Sequence, residues 1–398
     1  MRAKQFSERS IPLLFLIVTI VAYGFLLPLT GFYWDDWPFA WIAEFLGPWE
    51  FIPAFAQVRP FLGPIFFVTT SLIPPVPLYW QIFALIIRFL SVLAAWFALN
   101  QVWPHHRRQA LIASLLFLVF PGYSQHWVAF THINQEWIPF IFYLLSFGFT
   151  ARALRSNSIR DTIIAILLLI PGVFPTEYFV SIEPMRFLFI WVIISEQVTG
   201  VRSRLVEALK RWLPYLLIWL ANGLWLAYFY TIGGYQSYDV EVVNQPVSIL
   251  SIVFTMGEAI WKAGFYVWVQ VLALTSKAIT APTTLATFGL LAVSFILIGF
   301  YLRNSSLTDG AIKSFAVPAL LIGLAGILLG RIPSFAAGLP LTLQSSFDRL
   351  MISMMLGASL FVSGLVELLF GNVRLKSYLY ALLIALGIGQ HFFNANIF

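Results

Sequence analysis

The chain has 398 residues, of which 60% are hydrophobic, 17% aromatic and only 10% charged, with a mean hydropathy of +0.87 and a net charge of +6. Soluble domains carry about 25% charged residues, so this composition excludes a water-soluble globule. With no cysteine, it also excludes disulfides, thiolate metal sites and cysteine nucleophiles.

Apolar runs near 20 residues recur from end to end, each long enough to cross about 30 Å of hydrocarbon, which predicts an all-α polytopic transmembrane bundle. In chain order the spans fall near 11–30, 80–103, 109–122, 137–152, 162–175, 185–200, 213–232, 283–302, 314–330, 350–371 and 377–393. That makes about 11 crossings in a single membrane-embedded domain, 1–398. The first run, Ile11 to Thr30, is too long for a signal peptide's apolar region and lacks a small-residue cleavage site, so it reads as an anchor. Clusters at Arg2/Lys4/Arg9, Arg107/Arg108, Arg152/Arg155/Arg160, Arg202/Arg204/Lys210/Arg211, Arg303/Lys313 and Arg374/Lys376 hold 16 of the 23 Lys and Arg. Placing them all in the cytoplasm gives a multi-pass cell-membrane protein with its N-terminus inside and its C-terminus outside. Asp35, Asp36, Glu44, Glu50, Glu136, Glu177, Glu183, Asp239, Glu241, Glu258 and Asp348 then lie outside, 11 of the 17 carboxylates.

Two outer stretches, 31–79 and 233–282, are too apolar to be solvated loops and read as interfacial helices anchored by Trp and Tyr. If Ser251 to Thr275 crossed the bilayer instead, Arg303, Lys313, Arg374 and Lys376 would move outside. No internal repeat or low-complexity tract is visible.

The first outer stretch opens Gly31-Phe-Tyr-Trp-Asp35-Asp36-Trp-Pro38-Phe-Ala-Trp41. Two adjacent carboxylates at a membrane surface are costly unless they are used. Walls formed by Tyr33, Trp34, Trp37 and Trp41 would raise a carboxylate pKa toward the range of a general base and offer a stacking floor for a sugar or headgroup. For Asp36 a structural role competes, as N-cap of a helix whose first turn holds Pro38. The stretch continues to Gln57-Val-Arg59-Pro60, where Arg59 is an unpaired outer cation suited to gripping a phosphate or to snorkelling toward headgroups.

A first transmembrane helix followed at once by an acidic pair in a long outer loop, then a basic-Pro turn, resembles the GT-C superfamily of membrane glycosyltransferases. That group includes protein O-mannosyltransferases, lipid A aminoarabinose transferases and mycobacterial arabinosyltransferases. The resemblance implies that Asp35, with Asp36 beside it, supplies the catalytic base or acceptor-positioning carboxylate, and that the anomeric carbon inverts. Arg59-Pro60 stands where several of these families carry Lys/His-Pro-Pro, with Phe61 replacing the second proline. Residues 1–60 carry the likeness, which loosens toward residue 140.

Further along, Phe120 to Trp137 gathers His126, His132 and Glu136, with His132 and Glu136 on one helical face at i,i+4. Metal binding is conceivable there, although one ligand short, beside interfacial packing; the resemblance implies contact with acceptor or phosphate. Glu177, in Phe174-Pro175-Thr176-Glu177-Tyr178, has no local partner and is a site candidate, whereas Glu183 and Arg186 pair at i,i+3. Arg331 and Arg349 join Arg59 as outer arginines able to hold a phosphate by forked bonds, although Asp348 and Arg349 also suit the start of a helix. Arg88 lies inside the second span and needs a partner there.

These residues suggest a hexosyl- or pentosyltransferase at the outer face, moving a sugar from a polyprenyl-phosphate-linked donor to a glycan, lipid or protein acceptor. No nucleotide-cradling glycine loop is present. Membrane lipid is an expected partner and nucleic acid is not, and a divalent cation is a candidate at the acidic pair. The rival readings are a multi-span transporter or lipid flippase of cell-envelope precursors, and an acyl- or phosphotransferase centred on His126 or His132.

Overall fold

A computed structural model of the chain describes residues 6–232, 248–305, 307, 312–344 and 346–397. Arg2, Lys4, Gly233-Gly234, Asp239, Glu241 and Ser345 lie outside the described residues. Nine of the described helices are long and apolar enough to cross a membrane. They are α1 Glu8–Leu29, α2 Pro77–Val102, α3 Ala129–Ser156, α4 Glu177–Gln197, α5 Val201–Thr231, α6 Pro282–Arg303, α7 Lys313–Ala336, α8 Ser346–Leu369 and α9 Val373–Ala395. The protein is therefore an all-α polytopic membrane protein.

Two of the expected crossings are helices shorter than these nine. Arg107–Leu118 has 12 residues and Ile159–Val173 has 15, about 18 and 22 Å at the helical rise. The first begins at a charged pair and is followed by Pro121-Gly122, where the backbone leaves the helix. Both nevertheless carry the chain between the two ends of the bundle.

Long-range contacts mark those ends. At one, Glu8 pairs with Arg107, Arg152 with Asp161 at 2.6 Å, Arg155 with Glu196 at 3.0 Å and Lys376 with Glu367. The basic clusters thus gather at a common end, where several of them meet carboxylates. At the other end Arg59 meets Glu177, Ser124 meets Asp348, and Asp36 meets Thr131.

The 31–79 stretch folds over this second end. Asp36–Trp41 runs on into a π-helical turn, Ile42–Leu46, and exposes Trp37, Trp41 and Phe45 at i, i+4 and i+8. Its inner side seats Phe39 against Phe55 and Phe66 at 5.5 and 5.0 Å. An aromatic stripe outward and a phenylalanine cluster inward is the pattern of an interfacial helix. The described part of 233–282 reaches this end too. Tyr230, closing α5, donates to Glu177 at 2.5 Å; Lys262 donates to the Leu341 carbonyl; and Trp268 packs its edge on Phe120 at 5.8 Å. The chain then enters α6, whose far end reaches Asn304, bonded to Phe6 at the basic end. Lys262, Trp268 and the start of α6 therefore lie toward the Asp35 end.

Helices α7 and α8 approach so closely that a Cβ on Gly357 would lie 2.6 Å from the Gly326 carbonyl carbon, and one on Gly323 would lie 2.2 Å from the Phe361 nitrogen. Only glycine permits this contact, which brings Asp348 and Arg349 beside the acidic pair.

Candidate active site

The site is built on a kink. Trp34 adopts φ +44°, a left-handed conformation that costs a non-glycine residue on the order of 1 kcal/mol. The Trp34 and Tyr33 rings hold it by packing edge-on to Trp127 at 4.6 and 5.0 Å. From this turn the two aspartates diverge.

Asp36 is fully buried, and its carboxylate accepts the Thr131 N–H at 2.8 Å and the Tyr33 N–H at 3.4 Å. The expected role as N-cap of its own helix is corrected: the helix starts at Asp36 itself, and the carboxylate satisfies the third N–H of α3 across 95 residues. Burial pushes the Asp36 pKa up to about 6, against the lowering effect of those N–H donors and of His132. Asp35 points the other way, with its side chain 62% exposed and 3.9 Å from Arg349. That separation is Coulombic contact without a hydrogen bond. The two carboxylates thus lie in different surroundings, one buried and one exposed. Among the described residues no three His, Asp or Glu side chains are grouped to hold a metal ion.

Arg349 is the hub of the surrounding charge, interacting with Tyr178, Glu136, Asp35 and Arg59. Arg59 is not the unpaired cation expected, nor is Glu177 without a neighbour: they bond each other at 3.1 Å, with the Arg59 guanidinium 5.8 Å from the Tyr178 ring centre. The partners are 118 residues apart, beyond the reach of spacing rules. Side chains of this pair are about one-quarter exposed, so it borders the open face rather than the core.

Behind this layer lies a buried polar chain. Nδ1 of His132 sits 2.8 Å from Glu136, Tyr123 donates to the other Glu136 oxygen at 3.0 Å, and Trp137 donates to Tyr123 at 3.1 Å. The expected His132–Glu136 pairing is present, although the backbone there forms a π-helical turn, Ile133–Trp137. With Glu136 as carboxylate, Nδ1 carries a hydrogen toward it. His132 also influences both Asp36 and Asp348 electrostatically. Asp348 is buried and accepts from Ser124 and, at 3.0 Å, from Gln125, so it ties the 119–128 connection to α8.

Two of the expected residues depart from the site. His126 turns inward onto Tyr23 and His391, with ring centres 4.9 and 5.6 Å away, and burial lowers its pKa to about 3, which keeps it neutral. Arg331 bonds Ser334 at 2.6 Å and the Leu339 carbonyl at 2.9 Å, closing the end of α7 instead of facing the acidic pair. Glu183 and Arg186 pair at 2.6 Å in the core, as their spacing predicts. Arg88 forms no ion pair among the described residues, although Glu136 acts on it electrostatically: its guanidinium lies 3.8 Å from the Trp137 ring centre, 4.5 Å from Tyr23 and 5.1 Å from Tyr123.

Sequence reasoning missed Tyr178, Tyr230, Thr131 and Ser124. Their partners come from distant helices, and nothing in their local pattern signals it. Comparison with known proteins finds no matching family model and no matching curated protein.

Proposed function

We propose that the chain is a membrane glycosyltransferase that moves a sugar from a polyprenyl-phosphate-linked donor to an acceptor hydroxyl at the acidic-pair end, read as the outer face. The observation that carries this reading is an exposed Asp35 facing Arg349 at 3.9 Å, beside exposed Trp34 and Trp37. A carboxylate and a cation held apart at an aromatic interface suit a reaction in which a proton leaves one substrate while negative charge develops on another.

In this mechanism the acceptor hydroxyl loses its proton to Asp35 as its oxygen bonds the anomeric carbon from the face opposite the phosphate. The anomeric C–O bond to phosphate breaks, and its electron pair leaves on the phosphate oxygen. Arg349 receives that charge, with Arg59 at the edge of the same field. Asp35 then returns the proton to water. Asp36 is a positioning residue, anchoring the loop to α3.

Asp35→Asn should lower turnover of a lipid-linked sugar in membranes by roughly 100-fold or more, with little change in KM. If Asp35→Asn keeps full turnover while His132→Ala abolishes it, this mechanism is wrong and a histidine-centred transferase replaces it. Movement of the intact lipid across vesicles with no sugar transfer would identify a flippase.

A further inference from the structure

At the basic end, two clefts flank the first turns of α5. One, of about 470 Å³, lies among Leu154, Ile194, Val198, Arg202, Glu207 and Lys210. The other, of about 430 Å³, shares Leu154, Lys210 and Arg211 with it. Lys210 and Arg211 therefore stand on the ridge between the two.

Some of the cations at this end are paired and others are not. Arg107, Arg152, Arg155 and Lys376 are matched by carboxylates, and Arg211 is matched by Glu207 at 2.8 Å. The ridge and the first cleft hold three cations against that single glutamate, and neither Arg202 nor Lys210 forms an ion pair among the described residues. Below them the wall is apolar, and α5 presents exposed Leu205, Leu209 and Leu213 along its length. Excess positive charge over a greasy wall, at the level where the helices leave the membrane, matches one ligand chemistry: a phosphate head on a hydrocarbon tail.

We propose that these clefts bind the headgroup of an anionic phospholipid from the leaflet at the basic end, with its phosphate on Lys210 and Arg202 and its chains along α5. Neither the acidic pair nor the proposed transfer reaction is involved. The site would hold α5, little of which is buried against the bundle, by a lipid clamped between it and the ends of α3 and α4.

The test is native mass spectrometry of the full chain in detergent, titrated with phosphatidylglycerol or phosphatidylcholine. Phosphatidylglycerol should be retained more tightly, and the double substitution Arg202→Ala/Lys210→Ala should weaken its retention by roughly 25-fold while leaving phosphatidylcholine unchanged. Arg202→Lys/Lys210→Arg, which keeps the charge, should retain it, as should Arg303→Ala, which removes a cation from the same end away from the clefts. The proposal is overturned if the double alanine variant binds phosphatidylglycerol as the wild type does, or if the two lipids bind equally. Displacement of phosphatidylglycerol by millimolar inorganic phosphate would also overturn it, as the mark of a free-phosphate site.

Discussion

Adjacent aspartates in this protein do opposite work, because a left-handed Trp34 sends one outward and buries the other. The buried one makes a pH prediction. Folding raises the Asp36 pKa from its ordinary value near 4 to about 6, so the folded chain holds this proton more tightly than the unfolded chain does. Its contribution to stability is therefore full below pH 4, falls as pH rises to about 6, and is flat above, by on the order of 3 kcal/mol. Asp36→Asn keeps an acceptor for Thr131 and removes the titration. Thermal unfolding in detergent should show the wild type losing stability relative to this variant between pH 4 and 6; parallel curves would refute the buried, titrating carboxylate. Arg88 makes a second prediction. Its Nε and Nη2 lack hydrogen-bond partners, and its planar group is sandwiched by aromatic rings beside two cavities of about 20 and 10 Å³, each room for about one water. Lysine cannot stack this way, so Arg88→Lys should cost about 2 kcal/mol or more in the same assay. An unchanged midpoint would mean that charge alone is needed there.

At the level of helices, the decisive contact is glycine on glycine. In lipid no hydrophobic effect pulls two helices together, so close backbone approach must supply the attraction by van der Waals contact. Gly326 and Gly357 provide it, setting α8 where Asp348 and Arg349 reach the 119–128 connection and Asp35. Gly357→Val inserts a branched side chain where even a methyl would lie 2.6 Å from backbone. It should lower stability by about 3 kcal/mol and, by displacing Arg349, lower transfer activity with it. A variant that stays fully active would uncouple this packing from the site.

Across the whole molecule, charge sorts the two ends. The cysteine-free sequence allows single cysteines to be placed without background. If the Asp35 end faces outward as proposed, Glu50→Cys and Lys277→Cys should react together with an impermeant thiol reagent from outside intact cells, and Ser203→Cys only after lysis. Labelling of Lys277→Cys together with Ser203→Cys would show that 248–281 crosses the membrane.

Composition alone dictated a lipid-solvated, all-α chain, since so few charges cannot clothe a surface in water. Local spacing was enough for the His132–Glu136 and Glu183–Arg186 pairs, because three or four residues along a helix are neighbours however it packs. The aromatic patterning of 31–79 likewise signalled a helix with an exposed aromatic stripe. Only the tertiary structure joined Arg59 to Glu177, Asp36 to Thr131 and Arg349 to Asp35, and turned His126 and Arg331 away. The reason lies in the solvent: positions facing lipid and positions facing another helix are equally apolar, so the sequence pattern does not say which helices meet. Small residues and buried polar groups choose among those packings, and they do so across separations of about a hundred residues or more.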